Sequence, residues 1–123
     1  MDAAAAKANE LERRLVLFAT QIINLSRKLP KGPEGRHISS QILRCGTATA
    51  ANYGEARGAE SRSDFIHKLR VVLKELNETA IWLQLIQGAH LISGDQIVAL
   101  IAENRELCRI MAASVKTARG SGG

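Results

Sequence analysis

Residues 11–35 read LERRLVLFATQIINLSRKLPKGPEG, a long amphipathic pattern followed by an abrupt break. The large apolar residues recur at steps of four and three, which places them along one side of an α-helix. The run Pro30–Pro33 removes backbone donors at its two prolines and loosens the chain at the glycine between them, so helix 1 is predicted to stop near Leu29 and a short turn to follow. The apolar stripe comprises Leu11, Leu15, Phe18, Ile22, Leu25 and Leu29.

A second helix is predicted to begin between Glu34 and Arg36. Its composition changes after Cys45, where the run 46–51 (GTATAA) contains only small residues. Small side chains let a neighbouring backbone approach closely, whereas glycine inside a helix lowers its intrinsic stability. We therefore expect helix 2 to depend on tertiary contacts and to be the most closely packed helix. Its apolar side carries Ile38, Ile42 and Cys45.

The run ESRSD at residues 60–64 marks the next joint. Ser61 is predicted to cap a third helix, and Asp64 follows three residues later, as in a capping box. Gly88 or Gly94 is expected to end this helix. Its stripe comprises Phe65, Leu69, Val72, Leu76, either Thr79 or Ala80, Leu83 and Ile86.

A fourth helix is predicted to follow, capped by Ser93 or Asp95. Its apolar stripe keeps the same period, with Asn104 as one polar interruption. The final residues 119–123, RGSGG, are expected to form a flexible tail. The stripe comprises Ile97, Ile101, Asn104, Cys108, Met111 and Val115.

Four amphipathic segments, short turns and no strand pattern predict an all-α fold. An antiparallel up-down-up-down four-helix bundle is the natural arrangement, forming a single domain over residues 1–118. Helices 1 and 3 also carry apolar residues outside their main stripes. One bundle core cannot cover all of them, so we expect a homo-oligomer. These residues are Val16, Leu17, Ile23, Ile66, Leu73, Ile81 and Leu85.

The charge balance favours a polyanionic partner. The chain has 17 Lys and Arg against 12 Asp and Glu, a formal net charge of +5. It has no apolar run long enough to span a bilayer and no secretory signal pattern at its start, so we expect a cytoplasmic protein without a membrane partner. Cys45 and Cys108 lack metal-site spacing and are expected to be reduced, buried side chains.

Two groups of cations are candidates for nucleic-acid binding. Aromatic residues make up only 3% of the chain, so contact with the phosphate backbone is expected rather than base stacking. In an antiparallel bundle the two groups fall at opposite ends. The group at the joint of helices 2 and 3 comprises Arg57, Arg62, Lys68, Arg70 and Lys74, and the group at the turn of helices 1 and 2 comprises Arg27, Lys28, Lys31 and Arg36.

Metal and nucleophile patterns are weak. A di-iron bundle needs paired Glu-x-x-His motifs, and the one present, Glu34 to His37, is unpaired. Glu75 and Glu78 lie two turns after His67, but charges on a solvated helix face explain them better. We therefore predict no metal, no cofactor and no catalytic residue.

One enzymatic alternative stays open at the joint. Arg62 and His67 have the Arg-x4-His spacing of small helical ribonucleases, in which the histidine acts as acid or base and the arginine stabilises phosphate charge. Positions five apart on a helix diverge, so the pair converges only if Arg62 belongs to the capping turn.

Residues 25–86 resemble the small bacterial four-helix bundle proteins first noticed as products of intervening sequences in large-subunit ribosomal RNA genes. The resemblance rests on LPK at 29–31, Gly58, KEL-E at 74–78, and the positions Asn52, Glu55, Ser61, Asp64 and Phe65. A related bundle is the accessory variability determinant of diversity-generating retroelements.

The resemblance implies a non-enzymatic, pentamer-forming protein that binds nucleic acid, and a reverse transcriptase as a possible partner. Within the joint, Asn52 and Glu55 are expected to hydrogen-bond the turn backbone, and Tyr53 to fill the bundle end. Two alternatives stay open: the ribonuclease above, and a purely structural oligomer that binds a protein partner.

Overall fold

The computed structural model describes residues 2–120, which form four α-helices joined by short turns. No strand occurs within these residues, so the predicted all-α four-helix bundle is confirmed. The helices are α1 (Ala3–Lys28), α2 (Pro33–Arg57), α3 (Arg62–Gly88) and α4 (Asp95–Gly120).

The helix starts have local causes that the sequence indicates. The Asp2 side chain accepts a hydrogen bond from the Ala5 amide at 2.7 Å and caps α1. Proline occupies the first position of α2, where its missing donor costs nothing. Ser61 Oγ accepts from the Asp64 amide at 3.1 Å, which confirms the predicted cap of α3.

The turn between α3 and α4 contains two residues with positive φ. His90 has φ 56°, its amide donates to the Gln87 carbonyl, and the next amide donates to the Ile86 carbonyl at 3.0 Å. This pattern is a Schellman motif, which usually has glycine in the position of His90. Gly94, with φ 103°, directly precedes α4 and therefore occupies the N-cap position. The prediction that Ser93 or Asp95 caps this helix is wrong.

The last helix runs further than the sequence pattern indicates. Arg119 and Gly120, assigned to the tail, belong to α4. The rest of the predicted tail, residues 121–123, lies outside the described residues.

The core is aliphatic and follows the predicted stripes closely. Leu15, Phe18 and Ile22 of α1 are fully buried, as are the central stripe residues of α2 and α3. In α4, however, Leu100 and Leu107 are buried although they lie outside the predicted stripe, and the predicted residues Ile101 and Cys108 are only half-buried. The buried face of α4 is therefore shifted by one residue at these turns.

Helix α2 packs against both α1 and α3, whereas α1 and α4 share the least extensive packing. Two glycines of α2 allow this closeness. A Cβ on Gly46 would lie 2.6 Å from Ile22 Cγ2, and one on Gly35 would lie 1.8 Å from the Pro30 carbonyl oxygen. These specific contacts explain the predicted closeness of α2 to α1 and to the turn before it. Helix α3 packs against its two neighbours as extensively as α2 does, however, so α2 is not the most extensively packed helix.

The apolar residues outside the main stripes of α1 and α3 are buried to different extents. Ile23, Ile66 and Leu73 are half-buried, the last two against the bundle core, so one subunit covers more of the surplus than predicted. The other four remain about half exposed: Val16 (51%), Leu17 (48%), Ile81 (55%) and Leu85 (47%).

Candidate nucleic-acid interface

The outward face of α3 exposes two cations one turn apart, Arg70 and Lys74. Neither forms an ion pair with any residue between 2 and 120. At 3.6 residues per turn, Ile81 and Leu85 fall within about 60° of these cations around the helix. The face therefore combines two uncompensated positive charges with exposed apolar surface.

Two other cations predicted at this joint are matched by carboxylates. Lys68 Nζ lies 2.9 Å from Glu55 Oε1, and this hydrogen bond raises the pKa of Lys68. Arg57 Nη1 lies 3.3 Å from Glu12 Oε1. These pairs connect α2 to α3 and α2 to α1, so both cations take part in contacts between helices as well as facing solvent.

The cations at the turn between α1 and α2 form a second, separate group. Lys28 Nζ donates to Gln96 Oε1 at 2.8 Å, and Lys31 Nζ donates to the Arg27 carbonyl at 3.4 Å. Arg27 and Arg36 are exposed. Because the 25 residues of α2 correspond to about 37 Å of helix, these cations cannot join those of the other joint in one site within a subunit.

A groove of about 820 Å³ lies at the joint between α2 and α3. Each helix contributes one cation to its lining, and no described lining residue is acidic. A second recess of about 470 Å³ adjoins it and shares Tyr53 and Phe65. The four cations are Lys7, Arg57, Arg62 and Arg109.

Sequence reasoning predicted Arg57 and Arg62 in this region but missed Lys7 and Arg109. The missed residues lie 102 positions apart and belong to the first and last helices. The available signal was helix length: four helices of nearly equal length bring the start of α1 and the end of α4 beside the same joint.

Tyr53 contributes a hydroxyl to the groove. The residue is 6% exposed, and its hydroxyl forms no hydrogen bond with any residue from 2 to 120. Burial raises the pKa of Tyr53, which nearby Arg57 lowers and Glu12 raises to smaller extents. Tyr53 fills the bundle end as expected, and it also presents a polar atom there.

The side chains of Asn52 and Glu55, at the joint of α2 and α3, form other hydrogen bonds than those predicted. Asn52 Nδ2 donates to the Ala48 carbonyl at 2.9 Å, inside α2, and the Glu55 carboxylate pairs with Lys68. The expected bonds from these side chains to the turn backbone are wrong, because backbone amides already close the turn: Gly58 N donates to Glu55 O and the next amide to the Ala56 carbonyl, both at 3.1 Å.

The Arg62–His67 pair diverges. Because α3 begins at Arg62, the five intervening steps turn the helix by about 140°. Arg62 Nη1 donates to the Ala118 carbonyl at 2.9 Å beside the groove. His67 is exposed and is not among the groove residues.

The carboxylates considered for a metal are engaged elsewhere. Glu75 Oε2 lies 3.5 Å from Arg44 Nη1, and Glu78 is paired with the same arginine. Across residues 2–120, no three His, Cys, Asp or Glu side chains are grouped to hold a metal ion. In the same span, none of the four helices has the length and apolarity needed to cross a membrane.

Comparison with known proteins places the chain in a family. It is 36% identical to a protein of unknown function from the S23 ribosomal protein family of Bacteroides thetaiotaomicron VPI-5482, with a TM-score of 0.82 over 89% of this chain and 98% of the other. Among curated proteins, none matches. Residues 7–113 match the 23S rRNA-intervening sequence protein family, to which this chain therefore belongs.

Proposed function

We propose that this protein is a non-enzymatic, cytoplasmic homo-oligomer, built of antiparallel up-down-up-down bundles, that binds nucleic acid through its exposed cations. The observation that carries the proposal is the outward face of α3, where Arg70 and Lys74 are exposed and lack carboxylate partners among residues 2–120. The family description, which refers to an intervening sequence in 23S rRNA, is consistent with a nucleic-acid context.

The antiparallel arrangement is supported by bonds at both ends of the first two helices. Ser39 Oγ donates to the Ser26 carbonyl near the turn, and Arg57 pairs with Glu12 at the far end. Arg14 pairs with Glu103 between the first and last helices. These pairs are the ones expected if consecutive helices run in opposite directions.

Self-association is supported by the half-exposed apolar residues of α1 and α3. Leaving Val16, Ile81 and Leu85 in water forgoes the free energy of burying them, about 25 cal/mol for each Å² of apolar surface. The resemblance to the pentameric retroelement protein makes a pentamer the specific proposal. In a closed ring each subunit contributes the same face, so the cations of α3 are repeated around the assembly.

Phosphate contact is the mode of binding that fits these residues. Exposed Lys and Arg release counterions from the nucleic-acid backbone, so affinity depends steeply on salt and little on sequence. Non-specific binding of this kind has a Kd of about 10⁻⁴ to 10⁻⁶ M at physiological salt. In a retroelement, a reverse transcriptase is the protein partner that we propose.

The test compares a double variant, Arg70→Gln with Lys74→Gln, against the wild-type protein. Binding of a short single-stranded RNA and a DNA duplex is measured by fluorescence anisotropy between 50 and 200 mM salt, the range over which about 10³-fold losses occur for six phosphate contacts. We expect weaker binding and a shallower salt slope, by about 0.9 for each lost phosphate contact with duplex DNA.

The matched control is Arg13→Gln with Lys116→Gln, which removes the same charge from exposed positions on α1 and α4. An equal effect of both double variants would assign binding to net charge and not to the α3 face. Binding that is absent, or unchanged between the two salt concentrations, would refute the proposal. In that case, recovery of one protein partner in a pulldown would favour the purely structural alternative.

The same samples test the lack of catalysis. RNA incubated with the wild-type protein is expected to stay intact. If RNA is cleaved, and the cleavage is lost in His67→Ala, the ribonuclease alternative is correct despite the divergence of Arg62 and His67.

A further inference from the structure

We infer that the groove at the joint of α2 and α3 binds a nucleoside monophosphate group, with the Tyr53 hydroxyl as one of its polar contacts. Two sources supply this group, the terminal nucleotide of a single strand and a free nucleotide. For the first source, the inference rests on the proposed function, because a strand bound by the α3 cations has a terminal nucleotide that can enter the groove.

The Tyr53 hydroxyl indicates a polar ligand. Its ring is mostly buried, but the hydroxyl itself reaches the surface of the groove, since no fully buried side-chain N or O atom of residues 2–120 lacks a hydrogen-bond partner. Tyr53 is more than nine-tenths buried, lacks a hydrogen-bond partner among residues 2–120, and lines both the groove and the adjoining recess. A ribose hydroxyl or a base edge in the groove can hydrogen-bond to this accessible hydroxyl, since a tyrosine hydroxyl both donates and accepts.

The cations indicate that the ligand is an anion. Lys7 is exposed and forms no ion pair within the described part of the chain. Arg57 and Arg109 are paired with Glu12 and Glu106, but those pairs use one and two donor atoms, respectively, of each guanidinium. The remaining N–H groups are available to a phosphate, which arginine binds through several parallel hydrogen bonds.

The walls and floor indicate a flat apolar body attached to that anion. Phe65 and Ile110 line the side, and the core residues Leu69 and Ala118 form part of the floor. A volume of about 820 Å³ falls within the range of about 300–1,000 Å³ typical of small-molecule sites.

The experiment uses the full chain with four probes: adenosine monophosphate, adenosine, inorganic phosphate, and one single-stranded oligonucleotide prepared with either a 5′-phosphate or a 5′-hydroxyl. Isothermal titration calorimetry measures the small probes, and anisotropy measures the strands. The nucleotide is expected to bind more tightly than adenosine or phosphate, and the 5′-phosphate to tighten strand binding.

Two variants locate the site. Tyr53→Phe keeps the ring and is expected to weaken nucleotide binding about two- to tenfold through loss of one hydrogen bond. Lys7→Gln changes an exposed side chain, so it stays informative if the buried substitution impairs folding. It is expected to weaken binding by about the same factor through loss of a charged contact. Lys116→Gln, an exposed lysine elsewhere on α4, is the control and should leave nucleotide binding unchanged.

The outcomes separate this inference from the proposed function. Strands that bind regardless of their ends, together with no nucleotide binding, overturn the inference and leave the proposed function standing. Nucleotide binding without strand binding supports the groove and overturns the proposed function. Inorganic phosphate binding as tightly as the nucleotide, or equal losses in Lys7→Gln and Lys116→Gln, overturns the inference.

Discussion

Gly46 shows how a single missing side chain sets the distance between two helices. Its α-carbon faces Ile22, and a Cβ there would lie 2.6 Å from Ile22 Cγ2, well inside normal contact. Gly54, eight residues later in the same helix, has no atom within 4 Å of the corresponding position. The two glycines therefore have the same helix propensity and opposite packing roles.

We expect Gly46→Ala to lower the free energy of unfolding by about 1–3 kcal/mol, because the added methyl forces Ile22 or the backbone to move. The matched variant Gly54→Ala should raise it by about 0.5–1 kcal/mol, since alanine is the better helix former and nothing obstructs it. Urea unfolding followed by circular dichroism measures both. Similar effects of the two substitutions would mean that Gly46 does not control the α1–α2 contact.

His90 is the other residue whose backbone decides a local structure. It adopts φ 56° in the Schellman motif after α3, where a side chain other than glycine is strained. His90→Gly is expected to raise the free energy of unfolding by about 0.5–1 kcal/mol, and His90→Val to lower it. Thermal unfolding of both variants checks the sign. A loss of stability in His90→Gly would show that the histidine side chain makes a compensating contribution.

These two residues differ in how far the sequence revealed them. The run of small residues around Gly46 predicts close packing, because composition alone signals it. The position of His90 was not predicted, since either Gly88 or Gly94 can end a helix and the enrichment of histidine at positive φ is too weak to locate a turn. The strain at His90 follows from the geometry of the turn.

At the scale of elements, α3 is the helix that contributes both to the core and to the proposed binding surface. Ser61 sets its start, its inner face forms core, and its outer face presents Arg70 and Lys74. The sequence predicts these features well, because capping, periodicity and exposed charge are all local patterns. A helix start is also the element feature most easily tested by substitution.

Ser61→Ala removes the side-chain oxygen that accepts from the Asp64 amide, and we expect a loss of about 1 kcal/mol in the free energy of unfolding. Ser40→Ala changes the same residue type at an exposed position inside α2 and serves as the control, with an expected effect near zero or slightly stabilising. Chemical denaturation compares the two. Equal losses would indicate that the cap bond contributes nothing measurable.

Helix α4 shows where local patterns stop being sufficient. Steps of three and four allow two adjacent stripes, and the sequence does not say which one faces the core. The structure buries Leu100 and Leu107 because α1 packs, loosely, on that side, while Ile101 and Cys108 border a depression against α3. The choice depends on two neighbouring helices at once, which is tertiary information.

At the scale of the whole molecule, several ionisable side chains are buried in their neutral form. Cys45 is fully buried, and burial raises the pKa of its thiol, as it does for Tyr53. When a folded-state pKa is raised, the unfolded chain releases its proton first, so stability is complete below the unfolded pKa and falls as pH rises. For these groups the decline begins near their ordinary pKa values of 9.0 and 10.0.

We therefore expect the free energy of unfolding to fall as pH rises from about 9 to 11, as urea titrations at fixed temperature would measure. Burial also raises the pKa of Cys108, so the double variant Cys45→Ala with Tyr53→Phe removes two of three such groups, and its decline should be shallower, whatever its stability at pH 7. Parallel curves for the variant and the wild-type protein would show that other groups, such as the lysines, cause the alkaline loss.

The groove also belongs to this scale, and it explains why the candidate site was only half predicted. Arg57 and Arg62 are close in sequence and were found together, whereas Lys7 and Arg109 reach the same place through the return of two other helices. A site made of one cation from each helix leaves no short motif in the sequence, because its residues are far apart along the chain. It is visible only once all four helices are assembled.

Because the packing between α1 and α4 is sparse, some helices of the bundle are expected to separate before others. Two polar links are described along that seam, Arg14 with Glu103 and Lys28 with Gln96, whereas α2 is held tightly on both sides. Local fluctuations should release the outer helices first and leave α2 with α3 as the slowest-exchanging unit. A subunit opened in this way offers an unoccupied helix position to a second copy, so exchange of α1 or α4 between chains is a route by which copies of the chain can interlock.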